Sequence, residues 1–131
     1  MTPIRRTNGA SVEVERLVIG ADYGADGYTT LAQADELRRL LDLGSGDRLL
    51  ELGSGSGWPG LHLAKISGCT LVMIDLPADG EPPPGDGLRH ALRRATAEGL
   101  RDRCAVVAAN GKHLPFCAAT FDAIVSADVM C

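Results

Sequence analysis

A glycine-rich turn that follows an apolar run is the part of this chain most suited to binding a ligand. Gly53, Gly55 and Gly57 alternate with serines, and Pro59 follows them. Glycine at such positions lets the backbone turn sharply and lets a ligand approach main-chain N–H groups that a Cβ atom would block. Proline suits the first turn of a helix, so the pattern predicts a strand, a tight turn and a helix. This arrangement is typical of a nucleoside-cofactor site.

Two kinds of cofactor fit such a turn. The segment from Gly55 to Gly60 satisfies the G-x-G-x-x-G dinucleotide fingerprint, and Asp75 follows Gly55 by 20 residues. In that fingerprint the first glycine closes the strand, whereas here we expect the strand to run into Gly53, two residues after Glu51. A carboxylate at the mouth of the turn would repel a pyrophosphate but would favour the cationic ammonium and sulfonium of S-adenosylmethionine. Charge therefore favours S-adenosylmethionine over NAD.

The acid-Leu-Gly-x-Gly-x-Gly sequence from Glu51 to Gly57 resembles the first motif of class I S-adenosylmethionine-dependent methyltransferases. Residues 70–75 resemble the second strand of that family with its terminal acid. Further segments resemble the third and fourth strands in order and spacing: Glu98-Gly99-Leu100, Val106 to Asn110, Leu114-Pro115-Phe116 and Phe121 to Val125. The resemblance covers roughly residues 22–131. It implies a Rossmann-like α/β fold with a doubly wound, mainly parallel sheet, of which this chain holds the N-terminal part.

The resemblance also implies roles for individual residues. In the family, the acid after the second strand hydrogen-bonds the ribose hydroxyls of the donor, which is the position of Asp75. Asn110 stands where many members have an aspartate that accepts the adenine amino group; its amide oxygen can accept too, or the residue could simply turn the strand end. Asp128 could contact the donor, contact the acceptor or end the fourth strand. The predicted donor-binding residues are Glu51, Gly53, Ser54, Gly55, Gly57, Asp75, Leu76, Asn110, Gly111 and Asp128.

Other polar and aromatic residues have a structural interpretation beside a functional one. The segment Tyr28-Thr29-Thr30 resembles one that closes over the methionine part of the donor, although Thr30 equally fits a helix cap. Trp58 could line the cofactor pocket or pack against the sheet. His62 and His113 have no acidic or cysteine partner at catalytic spacing, so we expect neither to be a general base. No catalytic residue is predicted.

Local patterns predict the elements that position the turn. Thr30 to Gln33 has the form of a capping box, which opens a helix that Gly44 is expected to end. Residues 47–52 predict a buried parallel strand, and apolar residues from Leu61 onward predict the helix that packs over the sheet.

Beyond the second strand, residues 76–87 are rich in proline and predict a loop, and an amphipathic helix is expected from Leu88 to Ala95. At the other end, residues 1–21 are predicted to form an N-terminal arm with a short amphipathic piece from Val12 to Ile19. Residues 22–131 are predicted to form a partial S-adenosylmethionine-binding domain.

Composition excludes several classes of protein. The 131 residues carry a formal net charge of −4 and are 45% hydrophobic, which gives no indication of nucleic-acid binding. No apolar run reaches the roughly 18 residues of a membrane span, and the N-terminus lacks the apolar core of a signal peptide. The 4 cysteines are scattered without a Cys-x-x-Cys pair. We therefore expect a cytoplasmic location, reduced thiols and no metal.

The chain stops at Met130-Cys131, just after the predicted fourth strand, whereas the sheet of the family has further strands. We expect either a truncated chain or self-association through the exposed edge of the fourth strand. The expected function is methyl transfer from S-adenosylmethionine to a small-molecule acceptor, by direct displacement at the sulfonium-bound methyl group. The alternatives are a non-catalytic donor-binding remnant and the NAD-binding half-domain of an oxidoreductase.

Overall fold

The computed structural model describes residues 9–21, 29–75, 86–109 and 114–127. Within these ranges the strands form one sheet, in the order β3-β2-β1-β4, with every pairing parallel. The strands are β1 Arg48–Leu52, β2 Thr70–Asp75, β3 Cys104–Ala108 and β4 Ala123–Val125. Because β1 pairs with both β2 and β4, the strand order reverses at β1, and open α/β sheets bind ligands at such a point. The predicted Rossmann-like, mainly parallel α/β fold is confirmed.

The described α-helices are α1 Gly9–Ile19, α2 Leu31–Leu40, α3 Gly60–Ser67 and α4 Asp86–Ala97. A short 3₁₀ helix at Arg101–Arg103 leads into β3. The predicted capping box of α2 is confirmed, since the Thr30 side chain accepts the Gln33 N–H at 3.1 Å and the Gln33 side chain accepts the Thr30 N–H at 2.9 Å. Among the described helices, none is long and apolar enough to cross a membrane.

The predicted end of α2 is wrong by several residues. The helix ends at Leu40 instead of running to Gly44. Asp42, not a glycine, takes the left-handed conformation after it, with φ 50°. Aspartate adopts this conformation more readily than most residues, so the chain can leave the helix before it reaches a glycine.

The main core lies between the sheet and helices α3 and α4. Alternate residues of each strand contribute to it, as the twofold period of a strand requires. Its fully buried members include Leu49, Leu61, Leu63, Leu71, Met73, Ala91 and Ala95. A smaller cluster of Ile19, Ala21, Ala34 and Trp58 joins the end of α1 to α2 and to the glycine turn.

The sheet has an exposed edge at β4. Asp122 holds this strand against β1, because its side chain accepts the Arg48 N–H at 2.8 Å and its own N–H donates to the Arg48 carbonyl at 2.9 Å. Ile124, in the middle of β4, is 54% exposed. Self-association through this edge stays a prediction, as does the division into residues 1–21 and 22–131.

The glycine at position 57 lets the turn lie close to side chains of both α3 and α4. A Cβ atom on Gly57 would lie 2.6 Å from Leu61 Cδ1 and 3.2 Å from Ala91 Cβ, and its φ is +95°. Gly99 also has a positive φ, +73°, but a Cβ there would meet nothing within 4 Å. The two glycines therefore share the backbone requirement and differ in their surroundings.

This difference leads to a prediction about stability. Alanine at either position is expected to lower the free energy of unfolding by about 1–2 kcal/mol, because the backbone there is left-handed. We expect Gly57→Ala to cost a further amount of about 1–3 kcal/mol, because the methyl group overpacks the contact with side chains of the two helices. Urea unfolding followed by circular dichroism measures both variants, and equal stability of the two would contradict the packing role of Gly57.

Candidate cofactor-binding site

The glycine turn connects β1 to α3 at the carboxyl end of the sheet. Gly53, Gly55 and Gly57 all have positive φ, at 68°, 50° and 95°, which explains why glycine occupies these positions. A Cβ atom on Gly55 would meet no atom of the described residues within 4 Å, so among these residues there is open space beside Gly55. The expected strand, turn and helix are all present, with β1 ending directly before Gly53 and α3 beginning directly after Pro59.

The turn is anchored to the end of β2. The N–H groups of Gly53 and Ser54 both donate to the Ile74 carbonyl, at 2.8 and 3.1 Å. Gly55 N–H donates to Asp75 Oδ2 at 2.8 Å, which joins the turn to the acid for which the family resemblance implies a contact with the donor ribose. These bonds fix the turn relative to two neighbouring strands.

The three glycines of the dinucleotide fingerprint already have acceptors for their N–H groups. Gly55 donates to Asp75, Gly57 donates to the Ser54 carbonyl at 2.8 Å, and Gly60 donates to Glu51 Oε2 at 2.8 Å. In the ligand-free chain these three N–H groups therefore already have acceptors within the protein, and direct contact of a ligand with them stays a prediction. A phosphate would have to compete with two carboxyl groups for them.

Glu51 lies in a core position at the end of β1. It is 1% exposed, and its neighbours in register are Met73 on β2 and Val125 on β4. Burial raises the pKa of its carboxyl group to about 8; the Gly60 N–H opposes this increase, and the charge of Asp75 adds to it. At pH 7 the group is mostly protonated in the ligand-free chain, so the assumption of a fixed negative charge at the turn is corrected.

Two buried side-chain oxygens of the predicted site have no hydrogen-bond partner among the described residues. They are Glu51 Oε1 and Ser54 Oγ. Both residues are buried, and an unpaired polar atom away from water costs free energy. Buried polar atoms without a partner, at or next to a glycine-rich turn, are candidates for contact with a ligand.

Two further glycines shape this site, and the sequence did not single out their roles. A Cβ atom on Gly60 would overlap the Glu51 carboxyl group, so only glycine lets α3 begin against it. A Cβ atom on Gly87 would lie 3.0–3.1 Å from the backbone of Gly55, so the first turn of α4 rests on the glycine turn. The one signal for Gly87 was its place between a proline-rich segment and a helical pattern.

Trp58 and His62 connect the turn and α3 to the N-terminal part of the chain. Trp58 Nε1–H donates to the Thr29 carbonyl at 2.8 Å, and the indole packs in the cluster with Ile19, Ala21 and Ala34. His62 Nε2 lies 2.7 Å from Asp35 Oδ1 on α2, so the expectation that this histidine has no acidic partner is wrong. The partner is 27 residues away in the sequence, which no short spacing reveals.

The structure brings together six of the predicted donor-binding residues: Glu51, Gly53, Ser54, Gly55, Gly57 and Asp75. Leu76, Asn110, Gly111 and Asp128 lie outside the described residues, as do Tyr28 and His113. Over the described ranges, no cluster of three His, Cys, Asp or Glu side chains could hold a metal ion.

The raised pKa of Glu51 predicts how stability depends on pH. The ordinary value for glutamate is 4.5, so between about pH 4.5 and 8 the folded chain binds more protons at this residue than the unfolded chain. The contribution of Glu51 to stability therefore falls as the pH rises through this range, by at most about 1.4 kcal/mol per pH unit. At pH values above the pKa of Glu51 in the folded chain, this contribution to stability stays constant.

Glu51→Gln removes this proton and keeps the shape of the side chain. We expect the variant to gain stability relative to the unsubstituted chain as the pH rises from 5 towards 8. Urea unfolding of both chains at several pH values measures the difference, and a difference independent of pH would contradict a neutral Glu51.

Comparison with known proteins relates this turn and fold to a family. A family model described as a methyltransferase domain matches residues 50–131. Methyltransferase GfsG of Streptomyces halstedii is 31% identical over 96 residues, which are 73% of this chain and 32% of that protein. The 24-methylenesterol C-methyltransferase 2 of Oryza sativa subsp. japonica is 31% identical over 106 residues, 78% of this chain and 26% of that protein. The chain thus spans about a third or less of these curated relatives.

A solved structure has the same fold. It is a SAM-dependent methyltransferase from Thiobacillus denitrificans in complex with S-adenosyl-L-homocysteine, with a TM-score of 0.52 and 30% sequence identity. The match covers 61% of this chain and 29% of the other. The family model matches most of the chain, including Glu51, the glycine turn and Asp75. The chain therefore belongs to the methyltransferase domain family.

Proposed function

We propose that this chain forms the donor-binding part of an S-adenosylmethionine-dependent methyltransferase that acts on a small molecule. The observation that carries the proposal is the pair of carboxyl groups at the turn. Asp75 and Glu51 accept the N–H groups of Gly55 and Gly60, the positions at which a dinucleotide-binding turn would hold its phosphates. The occupied N–H groups and the negative charge of Asp75 disfavour an anionic ligand and suit a donor that has no phosphate and carries positive charge.

The described residues fit such a donor. Among these residues there is open space beside Gly55, and two buried oxygens, Glu51 Oε1 and Ser54 Oγ, have no partner among them. Asp75 ends β2 at the edge of this space, in the place where the family resemblance puts the ribose-binding acid. Leu76, Asn110, Gly111 and Asp128 stay part of the proposed site on sequence grounds.

In the proposed reaction the residues of this chain bind and orient. S-adenosylmethionine, when bound, supplies a methyl group that its sulfonium has already activated. Asp75 would hold the sugar, and the glycine turn would admit the donor close to the backbone. The fixed turn, tied to β2 through Ile74 and Asp75, would limit the movement of the donor and so favour alignment with the acceptor.

A small molecule is the proposed acceptor. One curated relative, the 24-methylenesterol C-methyltransferase 2, is named for a sterol, which is a small molecule. The formal net charge of −4 argues against a nucleic-acid acceptor. A cytoplasmic location and self-association through the edge of β4 stay predictions.

Calorimetric titration of the purified chain with S-adenosylhomocysteine, with NAD as the control ligand, tests the choice of cofactor. We expect saturable binding of S-adenosylhomocysteine and none of NAD. Preference for NAD would overturn the proposal in favour of an oxidoreductase half-domain. Donor binding without methyl transfer to any of a panel of small molecules would favour the non-catalytic alternative.

Asp75→Asn tests the assignment of the ribose-binding acid. The amide keeps an oxygen that can accept the Gly55 N–H, but it loses the charge that strengthens hydrogen bonds to the ribose hydroxyls. We expect binding of S-adenosylhomocysteine to weaken by about 1.5–3 kcal/mol. Asp122→Asn, at the opposite end of the sheet, is the matched control and should leave the affinity unchanged. Equal affinities for the two variants would contradict the assignment.

The space beside Gly55 provides a second test. Gly55→Ala and Gly55→Leu share the same backbone strain, because both residues must adopt a φ of +50°. Only leucine extends far into the open space, so we expect Gly55→Leu to bind S-adenosylhomocysteine at least about tenfold more weakly than Gly55→Ala, a difference of about 1.4 kcal/mol. Equal binding by two folded variants would mean that the donor lies elsewhere.

A further inference from the structure

We infer that binding of the cationic methionine portion of the donor converts Glu51 from a buried neutral acid into a carboxylate and releases its proton to solvent. This ionisation step rests on the proposed function, because it occurs at the same donor site. It adds a property that the family assignment does not contain, a coupling between donor affinity and pH through one identified residue.

The position of Glu51 makes its ionised form costly in the ligand-free chain. Its neighbours in register, Met73 and Val125, are apolar, and the side chain is almost completely buried. One oxygen, Oε2, accepts the Gly60 N–H, whereas Oε1 has no partner among the described residues. A buried carboxylate with one unmatched oxygen is unfavourable, so the neutral acid is the stable form. Because the carbonyl oxygen of a neutral acid is the better acceptor, we assign the Gly60 N–H bond at Oε2 to the carbonyl oxygen and the proton to Oε1.

Within the part of the chain that the structure describes, the charged groups on the surrounding elements do not supply the missing counter-charge. Asp75, on β2, carries charge of the same sign and favours the neutral acid. The titratable side chains of α3 are directed to other partners, since His62 contacts Asp35 and Lys65 Nζ lies 4.0 Å from Glu98. The Gly60 N–H at the start of α3 lowers the pKa of Glu51, but by less than burial raises it. A cation brought by a ligand would change this balance.

The donor carries such a cation in its methionine portion. Its α-ammonium is present in both S-adenosylmethionine and S-adenosylhomocysteine, and the former has a sulfonium in addition. A positive charge placed beside a carboxyl group favours the ionised form. The Oε1–H bond breaks, the electron pair stays on the carboxylate, and the proton passes to the buffer. The net change is one donor bound and one proton released.

Isothermal titration calorimetry in buffers of different ionisation enthalpy counts the released protons. With S-adenosylhomocysteine at about pH 6.5, we expect about one proton released per ligand bound. The affinity should rise by up to about tenfold per pH unit below the pKa of ligand-free Glu51. The ligand 5′-methylthioadenosine has the adenosine and the thioether but no ammonium, so it should bind without releasing a proton.

Glu51→Gln is the matched variant, because its amide can still accept the Gly60 N–H and has the shape of the neutral acid. Its binding of S-adenosylhomocysteine should release no proton and should lose the pH dependence. His62→Gln should release a proton as the unsubstituted chain does. Carbon-13 NMR of the Glu51 carboxyl, with and without S-adenosylhomocysteine, reports the same ionisation with no substitution.

Other outcomes of these experiments would contradict the proposal or part of it. Proton release that persists in Glu51→Gln, or that disappears in His62→Gln, would overturn the assignment to Glu51. Equal proton release with 5′-methylthioadenosine would overturn the role of the ammonium. Binding of S-adenosylhomocysteine without proton release would refute the ionisation step and leave the proposed function intact, whereas a folded chain that does not bind it would refute both.

Discussion

The hydrogen bond from the Gly60 N–H to the buried carboxyl group of Glu51 joins the end of β1 to the first turn of α3. It is made in a dry environment, so the loss of either partner would leave an unpaired polar group in the core. The same contact explains the residue at position 60, since any side chain there would overlap the carboxyl group. This contact fixes where α3 begins relative to β1.

A second carboxyl group completes the support of the turn. Asp75, at the end of the neighbouring strand, accepts the Gly55 N–H, so acids from two adjacent strands hold the two ends of one glycine-rich segment. The arrangement has a cost, because a buried acid beside a second acid is forced into its neutral form. Ionisable groups with strongly shifted pKa values cluster at functional sites, where a bound ligand can provide the opposite charge that the protein does not.

The N-terminal part of the chain is tied to the same turn. Trp58 reaches the Thr29 carbonyl, and His62 reaches Asp35 on α2, so two side chains from the turn and α3 hold the segment that precedes the sheet. Ile19 and Ala21 pack with Trp58 in the smaller cluster. A tryptophan directly after the last glycine of the turn therefore links the site to α1 and α2.

The sequence by itself determined the order of strands, turn and helices around the site. The apolar period, the capping box at Thr30 and the alternating glycines are local features, and residues 70–75 form β2 as predicted. Glu51 and Asp75 could be singled out because their spacing from the glycines matches a known motif. Only the tertiary structure decided that Glu51 is neutral, that Asp35 is the partner of His62 and that Trp58 packs with Ile19, Ala21 and Ala34. Burial and contacts between residues far apart in the chain decide these properties, and a linear pattern contains neither.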